Sequence, residues 1–82
     1  MENAAIFQEM IGILKPYVKD ASALEGVSET THILDDLKVN SARLVDIIIK
    51  CEDTFDIEID DDDADTIRTI GDAVSVIKNK LS

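Results

Sequence analysis

The sequence predicts an all-α fold: a small bundle of three main helices plus one short helix, with a long first connection. Two observations predict it. Apolar residues recur at helical spacing in three segments, and the one segment that alternates as a strand would, residues 56–63, has no partner strand. A chain of 82 residues with 45% hydrophobic residues can bury one modest core. We therefore expect residues 1–82 to form a single domain.

The first helix is expected to end near Leu14. Pro16 cannot continue an ordinary helix, and it also disfavours helical backbone geometry at Lys15. The apolar positions that repeat at helical spacing are Ile6, Phe7, Met10, Ile11, Ile13, Leu14 and Tyr17. This spacing predicts an α-helix for the first segment.

Residues 17–37 are predicted to form a long connection, with breakers at Gly26 and at residues 28–31. Asp20 is placed to cap a short helical turn over residues 21–25, which Gly26 would stop. A connection of this length in a compact domain is usually functional or ordered by its own side chains.

A second helix is predicted over residues 41–54, with Asn40 as its N-cap. Residues 56–63 are interpreted as an extended loop, and residues 63–67 as one short helical turn. No internal repeat is visible in the chain. The extended loop and the short turn thus lie between the second helix and the last helix.

The last helix is predicted to open at Thr69, because Asp72 stands three residues further on, as in a capping box. Its apolar residues recur at helical spacing and form a stripe that we expect to be buried. The residues of this stripe are Ile70, Ala73, Val74, Ile77 and Leu81.

The charge of the chain is strongly negative, at −10. A nucleic acid is excluded as a partner on this ground, because its phosphates would repel the protein. Residues 35–72 hold thirteen acids against four bases, so they carry most of the charge. This acidic centre would steer the protein toward basic patches on partners. The other interpretation is that the acidity only keeps a small domain in solution.

Cys51 is the single cysteine, which excludes an internal disulfide and a multi-cysteine metal site. Its place on the apolar side of a predicted helix suggests a buried, inert thiol in a reducing compartment. No run of about 18 apolar residues exists, and the first residues lack the pattern of a secretory signal. We therefore expect a cytoplasmic location and no insertion into a membrane.

The second helix carries more apolar surface than one buried face needs. At about 100° per residue its core face gathers Leu44, Ile47, Ile48, Cys51 and Phe55. A second apolar strip, edged with acids, lies well round from that face. The strip and its edge comprise Ala42, Val45, Ile49, Asp46, Glu52 and Asp53. Either the strip docks in an apolar groove with a basic rim, or the long connection covers it.

Ser41 stands at the start of this helix. Free backbone N–H groups and the helix dipole favour a phosphate there, so a phosphoester on this hydroxyl would be tolerated. A serine at this position also serves ordinary local hydrogen bonding. The position alone leaves both interpretations open.

Residues 36–59, with the sequence DLKVNSARLVDIIIKCEDTFDIEI, resemble the acyl carrier protein family. Asp36 and Leu37 match the Asp-Leu pair that precedes the family's Asp-Ser-Leu signature, and Ser41 falls on the serine that takes 4′-phosphopantetheine. Residues 64–77 resemble the family's short third helix and capped fourth helix. The resemblance thus covers about residues 33–78 well and the first helix only in pattern.

The resemblance implies a carrier with no catalysis of its own, which holds acyl groups as thioesters on a phosphopantetheine arm at Ser41. The implied partners are a phosphopantetheinyl transferase and the acyl-transferring or acyl-modifying enzymes of lipid and fatty acid metabolism, and the implied state is a monomer. The implied docking residues are the apolar strip and its acids, named above. An acyl chain would be sheltered between the helices by Ile47, Ile48, Cys51 and Ile70.

Three departures from the family pattern lie beside Ser41. Lys38 replaces a glycine, Asn40 replaces the aspartate before the serine, and Ala42 replaces the leucine after it. Arg43 and Lys50 also stand where acids or small residues are typical. The departures suggest a specialised carrier, and Asn40 and Ala42 leave open an unmodified acidic interaction module. The resemblance also leaves the cargo open, because relatives of this fold carry aminoacyl or D-alanyl groups as well as acyl chains.

Two other functions are excluded by the residues. A hydrolase that used Ser41 would need a nearby base, but the only histidine, His32, lies in the long connection with no glycine-flanked elbow around the serine. A calcium loop from Asp56 would need glycine at its sixth place and glutamate at its twelfth, where the chain has Asp61 and Ile67. We expect no dedicated metal site.

Overall fold

A computed structural model describes residues 2–19 and 21–81. It confirms the all-α bundle, and the described residues form no strand beyond one isolated bridge between His32 and Thr69. The helices are α1 (Asn3–Leu14), α2 (Ser41–Phe55), α3 (Asp61–Thr66) and α4 (Ile70–Leu81), with 3₁₀ turns at Lys15–Tyr17 and Ala21–Leu24. The predicted cap of the second turn, Asp20, lies outside the described residues.

The end of α1 and the start of α4 confirm the sequence-based boundaries. α1 ends at Leu14, and Pro16 lies in the first positions of the 3₁₀ turn that follows, where its missing N–H group is tolerated. At α4 the Thr69 N–H donates to Asp72 Oδ2 and the Asp72 N–H donates to Thr69 Oγ1, both at 3.1 Å. These reciprocal bonds form the predicted capping box, and the bond that the carboxylate accepts from the Thr69 N–H lowers the pKa of Asp72.

The long connection is ordered by backbone contacts with the start of α4. The Ile70 N–H donates to the Thr31 carbonyl at 3.0 Å, and the Gly71 N–H donates to the Glu29 carbonyl at 2.9 Å. A Cβ atom on Gly71 would lie 2.8 Å from that Glu29 oxygen, so only glycine permits this close approach. The connection is therefore fixed to α4 rather than lying over α2.

The core lies where α1 packs against α2 and α4. Among the described residues no polar or charged side chain is buried. The largest fully buried side chains are Ile6, Met10, Leu14, Ile33, Ile47, Ile70, Ile77 and Val74. The predicted stripe of α4 is buried except at its end. Leu81 is 36% exposed, so its predicted burial was wrong, because the last turn of α4 extends past the core.

The short helix α3 begins at Asp61, two residues earlier than predicted. The reason is its N-cap: Asp60 Oδ1 accepts a hydrogen bond from the Asp63 N–H at 2.9 Å. An ion pair of 2.7 Å between Lys80 Nζ and Asp63 Oδ2 then joins α3 to the end of α4. The hydrogen bond from Lys80 lowers the pKa of Asp63.

Candidate functional site

Ser41 is exposed and is the first residue of α2. The preceding residue, Asn40, adopts an extended backbone, and its Oδ1 accepts a hydrogen bond from the Ala42 N–H at 2.7 Å. This confirms Asn40 as the N-cap and α2 as the helix that presents the serine. The hydroxyl thus lies at the surface, beside the positive end of a fifteen-residue helix dipole.

The backbone that leads into Ser41 is anchored from both sides of Lys38. Leu37 and Val39 are both buried in the core, whereas Lys38 points out and has a φ of 58°. The Leu37 N–H also donates to the His32 carbonyl at 3.2 Å. A left-handed residue thus separates two buried side chains immediately before the helix starts.

The outward face of α2 is uncovered. Val45 is 57% exposed and Ile49 is 50% exposed, and Ala42 at the start of the same face is also exposed. The alternative in which the long connection covers this strip is wrong, because the connection is bound to the start of α4. Two large aliphatic side chains therefore face water along the helix that begins with Ser41.

The acidic edge of this face is divided between free and engaged carboxylates. Asp53 is exposed, and Asp46 makes only a long contact of 3.5 Å with Arg43 Nη1. Glu52 differs, because it is half-buried and its Oε2 accepts a hydrogen bond from the Ile59 N–H at 2.9 Å. Its carboxylate fixes the loop after α2, so Asp46 and Asp53 are the acids left open to a partner.

The inward face of α2 borders a small apolar cavity. Three of the four predicted acyl-pocket residues, Ile47, Ile48 and Cys51, line it, whereas Ile70 is fully buried but does not. The other lining residues are Met10, Ile33, Leu44, Ile59, Ile67, Ala73 and Ile77. Its volume of about 10 Å³ holds no more than one water molecule, so the bundle is closed.

Cys51 is 3% exposed, with its Sγ atom 3.4 Å from Met10 Sδ. Burial, followed by the negative charge of Glu52, raises the pKa of the thiol to about 12. The thiolate is the reactive form of cysteine and is almost absent at such a pKa near neutral pH. The buried thiol predicted from the sequence is confirmed, and this pKa makes it unreactive.

A basic surface beside Ser41 was missed from the sequence. Lys19, Lys38 and Arg43 line one surface pocket together with Asn40, the residue that precedes the serine. Lys38 and Arg43 are close to Ser41 in the sequence, but Lys19 lies in the long connection, just after the 3₁₀ turn that follows α1. No pattern in the chain signals that this part of the connection meets the start of α2.

Metal-ligating side chains are not clustered in the described part of the chain. Within residues 2–19 and 21–81, no group of three or more His, Cys, Asp and Glu side chains is placed to hold a metal ion. None of the helices in those segments is both long and apolar enough to cross a membrane.

Comparisons with known proteins agree with this geometry. The family model described as a phosphopantetheine attachment site matches residues 5–77. An acyl carrier protein of Lactobacillus acidophilus is 38% identical over 74 residues, 88% of this chain and 92% of that protein. One from Desulforapulum autotrophicum is 42% identical over 57 residues, 70% of this chain and 74% of that protein. A solved acyl carrier protein from Enterococcus faecalis superposes with a TM-score of 0.79 at 29% identity, covering 98% and 99% of the two chains.

Proposed function

Because this chain belongs to the acyl carrier protein family, we propose that Ser41 is the residue to which its phosphopantetheine arm is attached. The chain is an acyl-tethering carrier protein, and phosphopantetheine is its cofactor. The observation that carries the assignment to Ser41 is the exposed position of this serine at the start of α2. When attached, the arm supplies a terminal thiol that holds an acyl group as a thioester.

The residues around Ser41 fit a phosphodiester. Asn40 satisfies one N–H of the first helical turn, and the dipole of α2 favours an added negative charge at this end. Attachment forms a bond between Ser41 Oγ and the phosphorus of the phosphopantetheine unit of coenzyme A. The pyrophosphate bond breaks, adenosine 3′,5′-bisphosphate leaves, and the hydroxyl proton passes to a base of the transferase. The role of this chain is to present the hydroxyl, with no catalysis of its own.

The outward face of α2 is the proposed docking surface. Val45 and Ile49 would enter an apolar groove, with Ala42 toward the arm, while Asp46 and Asp53 meet basic side chains on the groove's rim. Glu52 contributes charge to this edge while it holds the loop after α2. The proposed partners are the transferase and enzymes that load, modify or unload acyl groups, and the proposed state is a cytoplasmic monomer.

The inward face of α2 is the proposed shelter for an acyl chain. Because the cavity holds at most one water molecule, a chain of several carbons would require the helices to separate. Its walls contain flexible Met10 and several isoleucines and no aromatic ring, which is compatible with such opening. Aminoacyl or D-alanyl groups, which are small and polar, would stay outside and form the alternative cargo.

The attachment is tested by intact mass. The unmodified chain is incubated with coenzyme A and a broad-specificity phosphopantetheinyl transferase, and a gain of one phosphopantetheine is expected. Ser41→Ala should abolish the gain, whereas the matched control Ser75→Ala, at an exposed serine of α4, should retain it. A chain that several transferases leave unmodified would instead favour an acidic module that acts only by docking through Val45 and Ile49.

A further inference from the structure

We propose that the basic pocket formed by Lys19, Lys38 and Arg43 is a binding site for a phosphate ester anion, specifically the phosphodiester carried by Ser41. This inference rests on the proposed attachment at Ser41. It assigns these three side chains a role toward the arm itself, not toward an enzyme partner.

The charge distribution is the first argument. The chain carries 18 acids against 8 bases, yet three of those bases line one pocket next to the modified residue. Clustered cations at one point of a strongly acidic molecule form a local positive potential, which concentrates an anion there. Within residues 2–19 and 21–81, the three side chains make one ion pair, the long, exposed contact of Arg43 with Asp46 at 3.5 Å. Such a contact is weak, so the guanidinium keeps donors for another anion.

The position of the pocket is the second argument. Asn40 lines the pocket and is bonded directly to Ser41, so the covalent chain tethers a phosphodiester on the Ser41 oxygen one residue from the pocket lining. The pocket is also lined by Pro16, Tyr17 and Val18, which are apolar or amphipathic. The arm begins with an anion and continues into a short carbon chain that bears methyl groups, so its chemistry matches a lining that is both basic and apolar.

The backbone of Lys38 is the third argument. Its φ of 58° is a conformation in which a glycine is comfortable and a lysine is not. The lysine side chain is exposed, whereas its neighbours on either side, Leu37 and Val39, are buried. Residues in unfavourable backbone conformations cluster at functional sites, so a left-handed lysine in this pocket supports a use for its charge.

The test compares unmodified and modified protein by urea unfolding at low and high salt. At low salt, attachment of the arm should raise the folding constant by about fivefold through the three exposed charges, and salt should remove most of this gain. In the variant Lys19→Gln/Lys38→Gln/Arg43→Gln the arm should raise the folding constant less. The increase that remains should be the part that comes from the dipole of α2. The control Lys50→Gln, on the same helix but lining another pocket, should keep the full gain.

A second readout does not depend on any variant. The Arg43 Nε–H resonance of the wild-type protein should shift when the arm is attached, and the Lys50 side chain should not respond. The proposal fails if the arm stabilises the triple variant as much as it stabilises Lys50→Gln and the Arg43 Nε–H resonance does not shift. The pocket then does not bind the phosphodiester.

Free phosphate is the second possible ligand. If millimolar inorganic phosphate shifts the Arg43 Nε–H resonance as far as the arm does, the site takes free phosphate and the preference for the tethered diester is wrong. A chain that acquires no arm refutes the attachment itself, so the two failures are distinguishable by mass.

Discussion

The two faces of α2 carry the same kind of side chain and opposite degrees of burial. Ile47 is 1% exposed, whereas Ile49, two residues further along the same helix, is 50% exposed. Hydrophobicity alone therefore does not decide which residues form the core. The decision is made by the neighbours, since α1 and α4 pack on one side of α2 and no described segment packs on the other. The inward face stabilises the domain, and the outward face is available for partners.

The largest expected effect is on the inward face. Ile47→Ala should reduce the free energy of unfolding by about 2–5 kcal/mol, because it leaves a cavity in a closed core. The same change at the outward face, Ile49→Ala, should alter it by no more than about 0.5 kcal/mol. Urea unfolding of the two variants makes the comparison. Equal losses at the two positions would mean that Ile49 belongs to the core.

The alkaline stability of the domain depends on the inward face as well. The folded state keeps the Cys51 proton up to a pKa of about 12, whereas the unfolded chain loses it near its ordinary value of 9.0. Between these values the unfolded state binds fewer protons, so stability should fall with rising pH by up to about 1.4 kcal/mol per unit. The loss begins near pH 9 and is complete above the folded pKa. Cys51→Ala should show a shallower decline in unfolding experiments, and parallel profiles would contradict the raised pKa.

Lys38→Gly should act in the opposite direction on the unmodified protein. It removes the strain of a lysine held at a φ of 58°, which should increase the free energy of unfolding by about 1 kcal/mol. The greater freedom of glycine in the unfolded chain offsets part of this increase. Thermal unfolding measures the change. Lys50→Gly, placed in the middle of α2, is the contrasting variant and should destabilise by a similar amount. Destabilisation by both would show that Lys38 makes a contact the fold requires.

The smallest expected change in stability is on the outward face. Val45→Asp and Ile49→Asp should leave helical content and melting nearly unchanged, within about 0.5 kcal/mol, because both side chains already face water. Both should nevertheless slow modification by the transferase or weaken its binding, since each places a charge in the proposed groove. Ala5→Asp, an apolar-to-acid change at an exposed position of α1, is the control. Unchanged binding by both variants would remove this face from the docking surface.

The fold was predictable where short-range chemistry decides it. Pro16 marked the end of α1, Asn40 the start of α2, and Thr69 with Asp72 the start of α4, because each signal acts within a few residues. The start of α3 was less predictable, since any of several consecutive aspartates is able to cap it. In the structure Asp60 is the one that caps it, through the bond that its Oδ1 accepts from the Asp63 N–H.

The sequence placed Ser41 correctly at the start of α2 and separated the two faces of that helix. Helical periodicity separated the two faces of α2, but it left open whether the long connection covered one of them. That outcome depends on backbone bonds such as the one from Gly71 to Glu29, between residues more than forty positions apart. The basic pocket depends likewise on Lys19 meeting the start of α2, and local pattern carries no information about such encounters.

The chain purified from its own host provides the most direct measurement of the central claim. Intact mass followed by fragmentation should find one phosphopantetheine, with its ester bond located on Ser41. A mass equal to that of the unmodified chain, or an arm located on any other residue, would contradict the account.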